Sequence, residues 1–496
     1  MEENTNEELE QASATEENLP PKKVSGIDKF FGVTASGSTI KTEIVAGLTT
    51  FMAMVYILMV NAGMFSEAWV GLSYGAAYIA TAIGAVVGTL LMSLYAKMPL
   101  AQASGMGVNA FIVYTLLLNG TGLTYANCMV FTLLDGVIFV VLTVTGLRKK
   151  LFEAIPASVR HAIPVGIGMF IAFIGLQQAG VIVNDDSTLV KFVSFNVLSG
   201  TFVYGNIVPA IVAIVGVLAI AVMSKKNVKG AILWGILGST VLFYILAAIG
   251  FAVNDEVCVS IFSKISFENP FLAFKDWGTQ AVGKVFIDGF NFSGYSGGVG
   301  GLIVLFITTA LSLCMIDMFD TIGTLYGACA KGNLLDEKGT PLHMEKMMLA
   351  DAVATCAGAI AGTSTVTTFV ESSAGVAAGG KTGLTSLVTT VLFFIAMFLS
   401  PIAQLIPRSA TATALVWVGV LMMTNVTKIE WTDAIEAAVG FITFIVMLLG
   451  YSISKGIGAG IIAYVVLASC SGKIKEISIV TWIVAIIFLL TFIFAN

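Results

Sequence analysis

Charge is what this chain has least of. Its 25 Lys and Arg and 30 Asp and Glu make up 11% of 496 residues, against roughly 25% in ordinary soluble domains. That is too little to coat a soluble protein of this length. Histidine is scarcer still, with only His161 and His343. Of the six cysteines, Cys128, Cys314, Cys329, Cys356 and Cys470 lie in or beside apolar stretches, and Cys258 falls in a polar loop. No C-x-x-C pair or Cys/His cluster occurs, so no metal site and no cofactor are expected. A secreted disulfide scaffold, a nucleic-acid binder and an ordinary cytosolic enzyme are all disfavoured. The net charge of −5 is spread thinly and points to no partner.

Apolar sequence fills the space instead. Hydrophobic residues are 57% of the chain, roughly 283 residues, and at about 20 per bilayer-spanning helix they would furnish about fourteen spans. The mean hydropathy of +0.94 and the 51 glycines agree, Gly being commoner in membrane helices than in soluble ones. The fold class expected is an all-α polytopic membrane protein. Residues 1–27 are polar and acidic, with seven Glu in the first seventeen positions and no apolar signal core, and are expected to form a disordered cytoplasmic tail.

Apolar stretches follow near 43–64, 76–95, 101–118, 127–147, 162–182, 206–224 and 230–252 (spans one to seven). A polar loop at 253–300 separates them from 302–327, 347–362, 364–380, 384–406, 410–426, 433–452 and 456–471 (spans eight to fourteen). A last apolar stretch covers 476–495. With the N-terminus inside, the outer side holds Lys191, Lys264, Lys275, Lys284, Arg408 and Lys455, and the other 19 of the 25 basic residues face the cytoplasm. That excess is the positive-inside pattern. The chain is therefore expected in the cell membrane, multi-pass, with a cytoplasmic N-terminus and an extracellular 253–300 loop.

Two internal echoes point to duplication. Thr81-x-x-Gly84-Ala85-x-x-Gly88-Thr89 in span two matches Thr355-x-x-Gly358-Ala359-x-x-Gly362-Thr363 in span nine, and Ile155-Pro156-Ala157-Ser158 before span five matches Ile406-Pro407-Arg408-Ser409 before span twelve. Seven crossings is an odd number, so a second copy enters from the opposite side. The expectation is a 7+7 inverted repeat, with residues 28–252 as the first copy and 301–496 as the second, an architecture of many secondary transporters.

The acids within spans are Asp135, Asp317, Asp320, Asp351 and Glu371. An ionised carboxylate at the bilayer centre costs at least ~2.5–3.5 kcal/mol. No Lys or Arg lies inside the spans that carry them, and burial without a cation favours the neutral acid. Such groups suit proton carriage or ligand hydrogen bonding. A spacing of three puts Asp317 and Asp320 on one helix face, where a packing contact is the plainer alternative for Asp320. Glu371 follows a β-branched run, Thr363 to Thr368, and precedes Ser372, Ser373 and an Ala-rich stretch. That pattern predicts an extended segment meeting a half-helix, tolerated at membrane depth only where it lines a buried or watery cavity. Span three, with Gln102, Ser104, Gly105, Gly107 and Asn109, has the same broken form. Two half-helix N-termini would then face a midplane site. Carboxylates and a carboxamide suit a planar, neutral, hydrogen-bonding solute.

The segments Thr42-Glu43-Ile-Val-Ala-Gly47-Leu-Thr49-Thr50-Phe51, Gly105-Met-Gly107-Val-Asn109-Ala-Phe111, Asp317-Met-Phe-Asp320-Thr-Ile-Gly323 and Thr363-Ser-Thr-Val-Thr-Thr-Phe369-Val-Glu371-Ser372 resemble the azaguanine-like purine permeases, the adenine/guanine/hypoxanthine branch of the nucleobase–cation symporters. The resemblance covers roughly residues 28 to 495. It implies the uracil-permease fold, with spans one to four and eight to eleven as a core and five to seven with twelve to fourteen as a gate. It also implies substrate contacts from Asn109, Asp317, Glu371, Phe369, Ser372 and Thr50, with Asp320 and Asp351 as proton-coupling or supporting acids. The function expected is import of guanine, hypoxanthine or adenine by proton symport with elevator-type movement, sodium being the other candidate ion. Lipid contact and a homodimer are further expectations. The alternatives are an anion or a uracil/xanthine transporter of the same fold. An intramembrane aspartyl protease lacks its Gly-x-Gly-Asp motif here.

Overall fold

A computed structural model describes residues 25–118, 120–147, 155–198, 202–263 and 269–494. The expected tail, up to residue 24, lies outside the described residues. Ser25 then caps a short helix, Gly26–Phe31. Among the described residues ten helices are long and apolar enough to cross a membrane, and they coincide with spans one, two, four to eight, eleven, twelve and fourteen. The other stretches fall short for separate reasons. Span nine (Met344–Ala361) carries Glu345, Lys346 and Asp351. Span thirteen (Ala434–Leu449) has 16 residues, as does the final helix, Ile479–Phe494. Spans three and ten are broken.

Those two breaks meet. Strand β1 (Gln102–Ser104) of span three and strand β4 (Val366–Thr368) of span ten pair antiparallel, Gln102 opposite Thr368 and Ser104 opposite Val366. The ladder extends past the strands through Gly105 N to Thr365 O at 2.9 Å and Phe369 N to Ala101 O at 3.1 Å. Beyond it, Ser372 Oγ accepts from Ala101 N at 2.9 Å. Lipid offers no partner to an open strand, so each broken span supplies the other's hydrogen bonds. A short helix follows each strand: Met106–Ala110, continuing in wider turns to Leu117, and Ser372–Ala377. A second strand pair, β2 (Ile182–Asp185) with β3 (Leu189–Phe192), forms a surface hairpin after span five.

The duplicated glycine motifs pack against this crossing. A Cβ at Gly88 would lie 2.7 Å from Val366 Cγ1, and one at Gly358 2.7 Å from Val366 Cγ2. Thr89 Oγ1 stands 3.0 Å from both Gln102 O and Gln102 N, while Thr355 Oγ1 donates to Val366 O at 3.3 Å. Spans two and nine thus clamp the strand pair from two sides. The stretch at 253–300 is more ordered than its polar composition implies. It carries helices Glu256–Ser263, Pro270–Gln280 and Lys284–Ile287, and Cys258, placed in that polar loop, is buried.

Replacing Gly88 or Gly358 by Val should force Val366 aside, and overpacking of this kind costs about 1–3 kcal/mol. Thermal unfolding of the detergent-purified variants, followed by size-exclusion chromatography, should show a lowered midpoint for both. Ala at the exposed Gly323, where a Cβ meets nothing within 4 Å, should leave it unchanged.

Candidate functional site

Four of the five intramembrane acids converge on the strand crossing. Span eight (Gly298–Lys331) is one continuous helix, and it brings Asp317, fully buried, and Asp320, half-buried, to that point. Asp351 of span nine is fully buried. It accepts from Gln102 Nε2 at 3.3 Å, from Thr321 Oγ1 at 2.9 and 3.0 Å and from Thr368 N at 3.2 Å. One carboxylate therefore ties spans eight and nine to both strands. Thr321 Oγ1 also stands 3.4 Å from Asp317 Oδ1. Its single proton serves one of these acids at a time.

Glu371 lies at the junction of β4 and its short helix and is half-buried. Its Oε1 accepts from Tyr56 Oη at 2.6 Å. Asp320 lies close to both Glu371 and Asp351. Carboxylates this close repel one another, and a proton held among them relieves the repulsion. Geometrically the acids divide in two: Asp317 and Asp351 are sealed in the packing, while Asp320 and Glu371 keep exposed surface.

Asn109, expected as the substrate's carboxamide partner, is fully buried in a hydroxyl network. Its Oδ1 accepts from Ser104 Oγ at 2.9 Å and from Ser364 Oγ. Thr363 Oγ1 donates to Ser104 Oγ at 3.0 Å, and Asn61 Nδ2 reaches Thr363 at 3.3 Å and Thr81 at 2.6 Å. Ser372 is engaged by Ala101, and Phe369 is buried in the core. Thr50 packs where Gly375 lets the short helix of span ten approach span one; a Cβ on Gly375 would collide with Thr50 Oγ1 and Ala46 O. Asn109 and Ser372 are thus engaged at the strand crossing, and Thr50 at the short helix that follows it. Asp135 sits apart, in span four beside Cys356.

Sequence reasoning gave no site role to Tyr56, Gln102, Thr321 or Asn61, all polar groups whose roles come from long-range packing. It also missed Glu43, which is fully buried at the start of span one. Glu43 accepts from Lys381 N at 3.0 Å, Thr382 Oγ1 at 2.9 Å and Thr385 Oγ1 at 2.6 Å, so it caps the N-terminus of span eleven. Its signals in the sequence were its place at the lip of an apolar run and within the Thr42–Phe51 segment. Two surface cavities, of about 470 and 410 Å³, are lined by other residues, around Lys284 and Asp288 and around Val183 and Asn196.

A multi-pass helical bundle whose two broken spans pair around a polar, acid-lined centre has the build of a membrane transporter. The model of the Permease family matches residues 41–459, and the chain belongs to that family, whose members are transporters and not enzymes. Guanine/hypoxanthine permease PbuO of Bacillus subtilis is 36% identical over 467 residues, covering 92% of this chain and 98% of that protein. Adenine permease AdeP of Escherichia coli is 33% identical over 471 residues, covering 95% and 96%. Among solved structures, the transmembrane domain of a cyanobacterial bicarbonate transporter, BicA, superposes with a TM-score of 0.54 at 14% identity, covering 85% of this chain and 97% of that one. At that identity the likeness concerns the fold alone.

Asp351→Ala strands the buried Thr368 N–H and leaves the Gln102 amide only Thr368 Oγ1 as a partner, at about 1–3 kcal/mol per unsatisfied group. Its thermal midpoint in detergent should fall well below that of the unaltered protein. An unchanged midpoint would remove Asp351 from the role of anchor.

Proposed function

We propose that the protein imports purine bases (guanine, hypoxanthine and/or adenine) across the cell membrane by proton symport. One observation carries this: the partly exposed carboxylates Asp320 and Glu371 meet where two broken spans cross, in a chain that aligns almost end to end with permeases named for those bases. Purine ring N–H and exocyclic amino groups are donors, and carboxylates accept from them. Tyr56 fixes the orientation of Glu371. Asp317, Asn109, Phe369, Ser372 and Thr50 hold the surrounding frame, and Asp351 locks it to the strands. A proton taken up by the acid cluster cancels charge that would be costly at membrane depth.

The fold proposed is fourteen spans in two inverted repeats of seven, with spans one to four and eight to eleven moving as a core against a gate. Both glycine motifs flank the same strand crossing. Both Ile-Pro-x-Ser echoes place their proline at the N-cap of the following helix, Pro156 before Ala157–Gln178 and Pro407 before Arg408–Met422. The sidedness of the basic residues supports a cytoplasmic N-terminus.

In cells lacking their own purine permeases, Glu371→Gln should abolish accumulation of labelled hypoxanthine while the protein still reaches the membrane. Full uptake by that variant would sink the assignment. Tyr56→Phe keeps the ring and removes the hydrogen bond to Glu371. Bonds to charged groups are worth about 1.5–3 kcal/mol, so uptake at limiting substrate should fall by roughly tenfold or more. A protonophore should collapse accumulation by the unaltered protein, and replacing sodium with choline should not. The reverse pattern would make sodium the coupled ion.

A further inference from the structure

The seam between the proposed core and gate is bridged at one end by an ion pair. Glu67 follows the span-one helix Tyr56–Phe65, and Arg408 opens the span-twelve helix. Arg408 Nη1 lies 2.9 and 3.0 Å from the two carboxylate oxygens of Glu67. The Glu67 side chain is 10% exposed and that of Arg408 is 51% exposed. Tyr114 of span three lies near both charges. Its hydroxyl accepts from Gln178 Nε2 of span five at 2.7 Å, and its ring meets Tyr451 after span thirteen edge-on, centroids 6.2 Å apart. Two core spans and three gate spans thus converge at one end of the bundle. On the orientation given by the basic residues, that end is the outer one.

In the duplicated motif the arginine has no counterpart at the matching position. Ser158 and Ser409 occupy the same place in the two Ile-Pro-x-Ser echoes, and both hydroxyls are buried with no hydrogen-bond partner among the described residues. The position occupied by Arg408 in the second echo is Ala157 in the first. An alanine cannot make the equivalent ion pair at the inner seam.

We propose that Glu67 and Arg408 form a latch that holds the outer mouth shut and must part each time the site opens outward. This rests on the core-and-gate reading above. The burial asymmetry sets the expected order of effects. Removing Arg408 strands a nearly buried carboxylate, which opening would return to water. Removing Glu67 leaves an arginine whose head already reaches solvent.

The test is accessibility, read in intact cells carrying the full chain with Cys258→Ser and the reporter Ser409→Cys, which replaces a side chain buried at this seam. A membrane-impermeant maleimide added outside should label the reporter slowly when the pair is intact. Arg408→Gln should speed labelling about fivefold or more and Glu67→Gln about twofold, while Arg408→Lys, which keeps the charge, should stay close to the intact rate. Loss of the neighbouring cation would by itself slow a thiol, so faster labelling of Arg408→Gln reports opening. Equal labelling in the intact, Arg408→Gln and Glu67→Gln backgrounds would overturn the latch. So would an Arg408→Lys variant that labels as fast as Arg408→Gln. Labelling needs no substrate, which separates the two claims. A response without purine uptake keeps the latch and discards the substrate, whereas uptake without a response does the opposite.

Discussion

Extended backbone at membrane depth must find its hydrogen bonds inside the protein, and here two spans satisfy that requirement for each other. Much of the surrounding sequence follows from the pairing of β1 with β4. The strands lie between two helices that must come close, so Gly84, Gly88 and Gly358 replace side chains that would collide with Thr363 and Val366. Groups beside the ladder still need partners. Hydroxyls of Thr89, Thr355 and Ser372 and the carboxylate of Asp351 supply them. A segment too polar to face lipid is thereby buried with its backbone paired, while the hydroxyls of Thr365 and Thr367 have no hydrogen-bond partner among the described residues.

The same constraint explains why acids so close together differ in exposure. Asp351 is occupied by an amide, a hydroxyl and a backbone N–H, which spread its charge over a fixed set of donors. It holds the frame. Asp320 and Glu371 sit at the edge of that frame, where Glu371 accepts from Tyr56. Fewer committed bonds and some exposed surface are what a carboxylate needs if it is to exchange its partner for a ligand or a proton. Asp317, expected from sequence to be a principal contact, is packed beneath them, one helical turn before Thr321.

The frame was more legible in the sequence than the site. The β-branched run at 363–368 and the glycines around 105 announce two broken spans because their local chemistry is unlike a lipid-facing helix. That the breaks pair with each other is a contact between residues more than 260 positions apart, and no local pattern encodes it. Tyr56 is invisible for the same reason: within span one it is one more aromatic, and only the approach of Glu371 gives it a role. The acids were found by their cost. Their division into anchors and exposed groups depends on which donors reach them, a property of packing. Helices in the 253–300 stretch were hidden by its polar composition, which describes solvent exposure better than backbone conformation.

Duplication adds a last physical point. In the proposed repeat the packing devices occur twice: two glycine motifs, two broken spans and two proline-capped helices. The charges do not. Asp317, Asp320, Asp351 and Glu371 all belong to the second half, and so does Arg408. Packing around a crossing needs small residues on both sides, so both copies are held to it. A cluster of carboxylates in both halves would add mutual repulsion and desolvation cost without a second ligand to offset them. A symmetric frame with one-sided chemistry is the arrangement those energies favour, and it lets the two ends of the bundle differ in how they close while sharing one central site.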